Sequence, residues 1–218
     1  MEATVCVSNS LLETMTLAAI EAYVLGDGRK KTQIETLGYL WGTKKIENGH
    51  VYYHADKVSI SLSAQRGSGW VQPNQKAIEL KNSIFMQWSP YVYFLGDFHT
   101  HPYKNLKEVK QARGYDFSEG DFKYFLEDNY AWEQSQGNPI WLVVAICKIS
   151  RVREQMFIKF QDREKSNARF FSIGEYRIWI NACNGYLLKK EKRTINKNVF
   201  IDFMNFEHYN PQGNRLRG

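Results

Sequence analysis

The sequence predicts a mixed α/β fold, and three observations indicate it. Segments with a helical periodicity of apolar residues alternate along the chain with short runs rich in Val, Ile, Tyr and Phe, which favour strands. A chain of 218 residues with 43% hydrophobic residues can bury a substantial core. The chain also shows no internal repeat and no low-complexity linker that would divide it. We therefore expect an α/β fold of the mixed, α+β kind.

The first half of the chain alternates between helix and strand signals. A serine before an apolar-periodic run favours a helix start, and a Gly-containing cluster favours its end. Asn48-Gly49 is typical of the tight turn between two antiparallel strands. The predicted elements are a helix from Ser8 or Ser10 to about Leu25, strands over 35–43 and 50–62, a loop over 63–74, and a helix from Pro73 to about Trp88 with Ala77, Ile78, Leu80, Ile84 and Phe85 facing inward.

The second half begins with an apolar run over 91–98, which predicts a buried strand. Pro102 is expected to end this strand, because proline has no N–H for the ladder. Residues 103–117 are charged and lack apolar rhythm, so we expect a surface loop. The remaining predictions are a helix from Ser118 to about Tyr130 with Phe122, Phe125 and Leu126 buried, a hairpin of strands over 140–149 and 151–160, strands over 169–180 and 198–206 separated by a basic turn, and a frayed tail over 214–218.

Charge and cysteine content exclude several function classes. The formal net charge is +6, a modest excess that a solvated basic surface explains. The basic residues do not interleave with aromatics in any recognisable nucleic-acid-binding module, so we expect no nucleic-acid partner. Cys6, Cys147 and Cys183 are far apart and form no C-x-x-C pair, so neither a disulfide framework nor a zinc finger is indicated.

Targeting signals are not found in the sequence. The N-terminus lacks the basic start and long apolar stretch of a signal peptide, and no apolar run approaches membrane-spanning length. We therefore expect a cytoplasmic protein with no membrane partner.

The chemistry is expected at His99 and His101, where the strand over 91–98 should end. Residues two apart in an extended segment point to the same side, so both imidazoles can reach one point. Imidazole nitrogen is a good ligand for a divalent metal such as zinc. A pair of this kind is a weak signal alone, because a polar strand end has the same pattern.

Three further residues complete a catalytic constellation. A catalytic zinc typically takes three protein ligands and leaves one position open. Asp121, in the first turn of the helix that Ser118 caps, can be the third ligand. Glu35 is a candidate general base for a water molecule, and Ser118 can donate a hydrogen bond to an oxyanion.

Each of these residues also has a plainer explanation. Glu35 could begin a strand at the surface, Ser118 could be an N-cap alone, and Asp121 could serve the helix dipole. Asp116 is an alternative ligand, although it lacks a serine three residues ahead. The order and setting of the whole set favour a site.

The set resembles the JAMM signature of MPN+ (JAB-domain) zinc metalloproteases. The resemblance lies in Glu35 with Gly38 and Gly42, in His99-Thr100-His101-Pro102, and in Ser118-x-x-Asp121, and it spans roughly residues 8–160. It implies a curved mixed β-sheet flanked by helices, the cytidine-deaminase-like MPN/JAB architecture. It also implies Zn²⁺ held by His99, His101 and Asp121, with Glu35 as general base and Ser118 as oxyanion donor. We expect a catalytic domain over 1–165 and a β-rich extension over 166–218 packed on it.

One departure from the family concerns spacing. The family has ten residues between the second histidine and the aspartate, whereas Pro102 to Gly120 is nineteen residues here. Because Ser118-x-x-Asp121 keeps its internal spacing, the difference is interpreted as an insertion of nine residues. We expect the charged segment 103–117 to govern substrate choice and to leave the chemistry unaffected.

The resemblance implies a zinc-dependent, deubiquitinase-like isopeptidase of prokaryotic or viral style. Its substrate would be a peptide or isopeptide bond after the C-terminal tail of a ubiquitin-like protein, and E1-like or E2-like proteins would be its partners. The alternative is a non-catalytic MPN scaffold that binds proteins, a branch that loses its metal ligands. A zinc deaminase is excluded, because H-x-E and P-C-x-x-C are absent. The oligomeric state stays open.

Overall fold

The computed structural model describes residues 2–28, 31–153, 158–162, 166–189 and 192–204. Its helices are α1 (Asn9–Val24), α2 (Gln75–Trp88), α3 (Leu106–Ala112), α4 (Glu119–Glu127) and α5 (Asn129–Gln134). Its strands are β1 (Glu2–Val7), β2 (Leu37–Glu47), β3 (His50–Ile60), β4 (Gln65–Arg66), β5 (Val71–Gln72), β6 (Tyr93–Asn105), β7 (Ile140–Arg153), β8 (Lys159–Asp162), β9 (Ser166–Leu188), β10 (Lys192–Asn196) and β11 (Val199–Phe203).

The fold is mixed α/β, as the sequence predicts. One large sheet has the strand order β10-β9-β7-β6-β2-β3-β1-β11, with β8 paired to β9, and β4 and β5 form a small separate sheet. Strand β6 is parallel to β7, and β1 is parallel to β3 and β11, whereas the other neighbours are antiparallel. The sheet curls until β9 contacts β11, and Arg169 donates a hydrogen bond to the carbonyl oxygen of Ile201 across this approach at 3.3 Å. Helices flank the curled sheet.

Alternating residues of the central strands build two cores on opposite faces of the sheet. On β2, Leu40 belongs to the core that also buries helix α1, while Tyr39 and Trp41 face a second core. This second core contains residues of α2, α4 and α5, and Phe125 stacks on Trp141 with ring centroids 4.3 Å apart. The second face also carries the candidate site.

The N-terminal half follows the prediction closely. Helix α1 begins after Ser8, whose side chain accepts a hydrogen bond from the Leu11 amide. The six residues that the apolar periodicity places on one face of this helix are all buried: Leu11, Leu12, Met15, Ala18, Ala19 and Ala22. Asn48 and Gly49 both have positive φ, at 51° and 80°, as the tight turn between β2 and β3 requires. Helix α2 differs at Leu80, which is 64% exposed. The predicted loop over 63–74 contains the short strands β4 and β5.

Strand β6 does not end at Pro102, contrary to the prediction. It runs on to Asn105 and pairs in parallel with β7, with Pro102 opposite Ile146. The Thr100 amide donates to the Thr36 carbonyl, so the amide positions of residues 100 and 102 face the β2 side. The missing N–H of Pro102 would point toward β2, which does not extend as far as Pro102. The ladder between β6 and β7 therefore loses no hydrogen bond at the proline.

The segment 103–117 is not the surface loop that was expected. Strand β6 continues into it, and the Asn105 side chain then caps α3 by accepting bonds from two backbone amides. Helix α3 has only seven residues, too few to show apolar periodicity, yet Val109 is fully buried against Ala145 and Trp179. A small third core therefore holds this segment against the sheet.

The predicted helix over 118–130 is two helices. Asp128 ends α4 and begins α5, because its backbone leaves the helical region and its side chain accepts a bond from the Ala131 amide. Phe125 is buried as predicted, but Leu126 is 39% exposed, because the turn redirects the chain.

The C-terminal part differs in its strand pairing. Strand β8 pairs with β9 and not with β7. The prediction of a hairpin between 140–149 and 151–160 is therefore wrong for the described residues, and residues 154–157 lie outside them. Strand β9 has 23 residues, which lets one half pair with β8 and the other with β7. Strands β9, β10 and β11 lie in the same sheet as strands before residue 165. The predicted tail over 214–218 and the end of the 198–206 strand lie outside the described residues.

Among the described residues, no helix combines the length and apolar character needed to cross a lipid bilayer.

Candidate metal centre

The described residues bring His99, His101 and Asp121 together. Both histidines lie on the same side of β6, and Asp121 comes from the first turn of α4. The two Nε2 atoms are 3.1 Å apart, and the Asp121 carboxylate oxygens lie 3.3 Å from Nε2 of His99 and 3.5 Å from Nε2 of His101. The potential ligand atoms all lie within 4.8 Å of one another, a spacing that a single divalent cation can bridge.

A second contact fixes the orientation of His101. Its Nδ1 atom lies 3.2 Å from the carbonyl oxygen of Gly114, and a carbonyl can only accept, so Nδ1 carries the proton. In the neutral ring, Nε2 then presents a lone pair toward His99 and Asp121. This second partner is the arrangement typical of a metal-binding histidine.

Asp121 is held by a capping box with Ser118. The Ser118 amide donates to Oδ2 of Asp121 at 2.6 Å, and the Asp121 amide donates to Oγ of Ser118 at 3.1 Å. Burial alone would raise the pKa of Asp121, but the hydrogen bonds from His101 and His99 outweigh it and hold that pKa well below its usual range. A carboxylate that stays ionised among imidazole nitrogens suits a cation.

The two histidines differ in their electrostatics. Burial lowers the pKa of His99. Burial acts in the same direction on His101, but the hydrogen bond to Asp121 outweighs it and raises the pKa of that ring. The donor set of two imidazole nitrogens and one carboxylate fits zinc, and it also fits other divalent transition metals.

Glu35 lies beside this centre, two residues before β2 and not on the strand where it was predicted. Its backbone amide donates to the carbonyl oxygen of Gly67 at 2.8 Å, which fixes the chain as it enters the sheet. The residue is only 6% exposed, so it is not a surface carboxylate. Burial raises the pKa of Glu35 to about 7, and the negative charge of Asp121 adds to this against the opposing effect of His101.

Ser118 serves as an N-cap and also borders the cleft. Its Oγ accepts the bond from Asp121, so its own hydroxyl proton is not used in that contact. The position of Ser118 is therefore compatible both with an N-cap and with a hydrogen-bond donor to an oxyanion.

A cleft of about 470 Å³ opens over these residues. Glu35, both histidines, Ser118 and Asp121 all line it. Four further lining residues carry no sequence motif that indicated them: Trp70, Asp97, Tyr103 and Tyr124. Strand parity could have pointed to residue 97, because it shares a face of the strand with the two histidines.

Asp116, the alternative ligand, is engaged elsewhere. Its carboxylate accepts hydrogen bonds from Arg113, Ser166 and Asn181. It thus ties the segment 103–117 to β9 and is not among the described residues that converge on the metal centre.

No family model matches the chain, and no curated protein matches it. Among solved structures, the chain is similar to the solution structure of protein DSY2949 from Desulfitobacterium hafniense, with 12% identity over 94% of this chain and 97% of that one, and a TM-score of 0.38. It is also similar to the STIL N-terminal domain of Trichoplax adhaerens, with 11% identity, a TM-score of 0.36, and coverage of 84% of this chain and 42% of that one. Likenesses this distant carry no inference about function.

Proposed function

We propose that this protein is a zinc-dependent, JAMM-type metallopeptidase with the MPN/JAB architecture. The observation that carries the proposal is the convergence of His99, His101 and Asp121 in a cleft that also holds the buried carboxyl group of Glu35. Metal ligands alone would suit a structural site, but a nearby carboxyl of raised pKa suits proton transfer. The spacing within His99-x-His101 and within Ser118-x-x-Asp121 supports the same conclusion.

The donor set favours zinc as the metal. Two imidazole nitrogens and one carboxylate are a common ligand set of catalytic zinc sites, and the cleft leaves one side open to substrate. When bound, zinc supplies Lewis acidity that activates water at neutral pH and polarises a carbonyl group.

The residues of the chain then have distinct roles. Glu35 takes the proton of the attacking water and later passes it to the leaving amine nitrogen. Ser118 donates its hydroxyl proton to the oxyanion that develops on the scissile carbonyl. The Gly114 carbonyl holds the His101 ring in place.

The proposed substrate is a peptide or isopeptide bond after the tail of a ubiquitin-like protein, cleaved in the cytoplasm, with E1-like or E2-like proteins as partners. This class comes from the sequence resemblance. The rival proposal, a non-catalytic MPN scaffold, is disfavoured because the ligands and Glu35 are all retained.

A fluorogenic isopeptide tests the proposal. A Gly-Gly-ended peptide is joined to a lysine side chain between a fluorophore and a quencher, and its cleavage is followed with zinc-loaded protein. Chelator should abolish the signal, and restored zinc should recover it. Cleavage that persists both in chelator and in His101→Ala would contradict the proposal, because the activity would then come from another site or a contaminant.

A further inference from the structure

Asp97 extends the row of side chains that forms the metal centre. It lies two residues before His99 on β6, so it points to the same face, about 7 Å along the strand. Its neighbours across the sheet are Tyr39 on β2 and Trp141 on β7, both fully buried. Asp97 is 4% exposed and lines the cleft.

The described residues offer this carboxyl group no hydrogen-bond partner. Burial raises the pKa of Asp97 well above its usual range, and the negative charges of Asp128 and Asp121 add to this effect. Buried carboxylates in proteins are normally paired with a cation or with several donors, because an isolated one is costly. Since Asp97 borders the cleft, the missing partner can come from a bound molecule.

Tyr124 stands on the same wall of the cleft. Its hydroxyl donates to Oδ2 of Asp128 at 3.2 Å, and this bond restrains the ring. A phenol ring attracts a cation over its face, and the carboxyl group of Asp97 lines the same cleft. This wall of the cleft therefore favours a positively charged group. Asp121 does not serve this group, because it belongs to the proposed metal centre.

We propose that Asp97 and Tyr124 form a subsite for a cationic side chain, a guanidinium or an ammonium group, carried by a residue next to the scissile bond. As a statement about the substrate, this rests on the proposed function. The subsite lies about one side-chain length from the metal centre, which is the reach of a lysine or arginine neighbouring a carbonyl held there. Asp97 accepts the hydrogen bonds, and Tyr124 covers the apolar stem.

The test uses two small probes of similar shape, butylguanidinium and neutral butylurea. Their affinities are measured by titration with amide NMR spectra, with and without zinc and without turnover. The cation should bind at least about tenfold more tightly than the urea, because charge-assisted hydrogen bonds are stronger than neutral ones. Asp97→Asn should reduce this ratio to about twofold or less, and Tyr124→Leu should lower cation affinity by about two- to fivefold.

Asp56→Asn is the matched control, because it removes one negative charge at an exposed position on β3 and should keep the ratio. Equal binding of both probes to the parent protein, or an unchanged ratio in Asp97→Asn, would overturn the inference. If Asp97→Asn does not fold, the shifted amides of the parent protein decide, since shifts away from Asp97 and Tyr124 also overturn it. If the parent protein prefers the cation but binds no zinc, the proposed function is refuted and the subsite stands. If the protein shows zinc-dependent cleavage but no preference for the cation, the subsite is refuted and the proposed function stands.

Discussion

The Nδ1 atom of His101 lies 3.2 Å from the carbonyl oxygen of Gly114, and this contact joins a candidate metal ligand to the segment 103–117. The expectation that this segment leaves the chemistry unaffected stays a prediction, and the contact is the route by which a change in the segment would reach the candidate centre. The Gly114 amide in turn donates to the Val109 carbonyl at 2.8 Å, so the buried end of α3 sets the position of the contact. The segment 103–117 thus contacts the candidate metal centre through a backbone carbonyl group.

Replacing Gly114 with alanine should disturb the centre through Tyr103. A Cβ atom at position 114 would lie 2.2 Å from the Tyr103 ring, so the ring or the backbone must move. We expect Gly114→Ala to lower the free energy of unfolding by about 1–3 kcal/mol and to weaken zinc binding. Thermal unfolding and zinc titration measure the two effects.

The control for this change is Gly69→Ala, which also alters the cleft but meets no atom within 4 Å. In a Tyr103→Ala background, Gly114→Ala should lower the free energy of unfolding by much less, because the tyrosine ring that the new Cβ atom meets is absent. An equal cost in both backgrounds would show that the clash with Tyr103 is not the cause.

Metal content should depend on the three converging ligands. We expect about one zinc per chain in the parent protein, and His101→Ala should lose it while still folding cooperatively, since the core does not depend on the metal. His54→Ala, a histidine on β3 away from the centre, is the control and should keep zinc. Elemental analysis and thermal unfolding decide, and full zinc in His101→Ala would remove His101 from the site.

Substitutions of Asp121 and Asp116 should have different effects on the zinc content. Asp121→Asn should weaken zinc binding, whereas Asp116→Asn should retain it, because Asp116 bonds to Arg113, Ser166 and Asn181. The reverse result would restore Asp116 as the ligand.

Glu35→Gln should keep zinc and lose turnover. The amide can hold a water molecule but cannot accept its proton, and proton transfer by a placed side chain contributes about 100- to 10,000-fold. The rate is measured on the fluorogenic isopeptide with zinc content determined in parallel. Glu47→Gln, at an exposed end of β2, is the control. Parent-like turnover in Glu35→Gln would place the base elsewhere.

The stability of the metal-free protein should reveal the burial of Glu35. Its pKa rises from 4.5 to about 7 on folding, so the folded state binds the proton more tightly than the unfolded state does. The stability that this group contributes is present below about pH 4.5 and is lost as the pH rises to about 7. Glu35→Gln does not ionise and escapes this loss.

The difference in unfolding free energy, Glu35→Gln minus parent, should therefore grow between pH 4.5 and 7 and level off above, by up to about 3 kcal/mol. Urea unfolding at a series of pH values measures it, with Glu47→Gln correcting for the loss of one charge. A difference that is flat with pH would mean that Glu35 is as well solvated in the folded state as in the unfolded one.

Residues close together in the chain were predictable from the sequence. The helix cap at Ser8, the turn at Asn48-Gly49, the shared side of His99 and His101, and the Ser118-x-x-Asp121 box all depend on contacts within a few residues. Backbone geometry fixes such relationships wherever the rest of the chain lies.

The tertiary structure decided the features that join distant segments. Strand β6 continues past Pro102 because it pairs with β7 along the edge that does not need the N–H of the proline. Strand β7 pairs with β9 and not with residues 151–160, the predicted hairpin partner. The burial of Glu35 and the Gly114 carbonyl on His101 arise where distant segments meet. The burial of Asp97 arises between β2 and β7, where the described residues give its carboxyl group no hydrogen-bond partner. The sequence determined which side chains share a face; burial and partners depend on long-range packing, which local patterns do not encode.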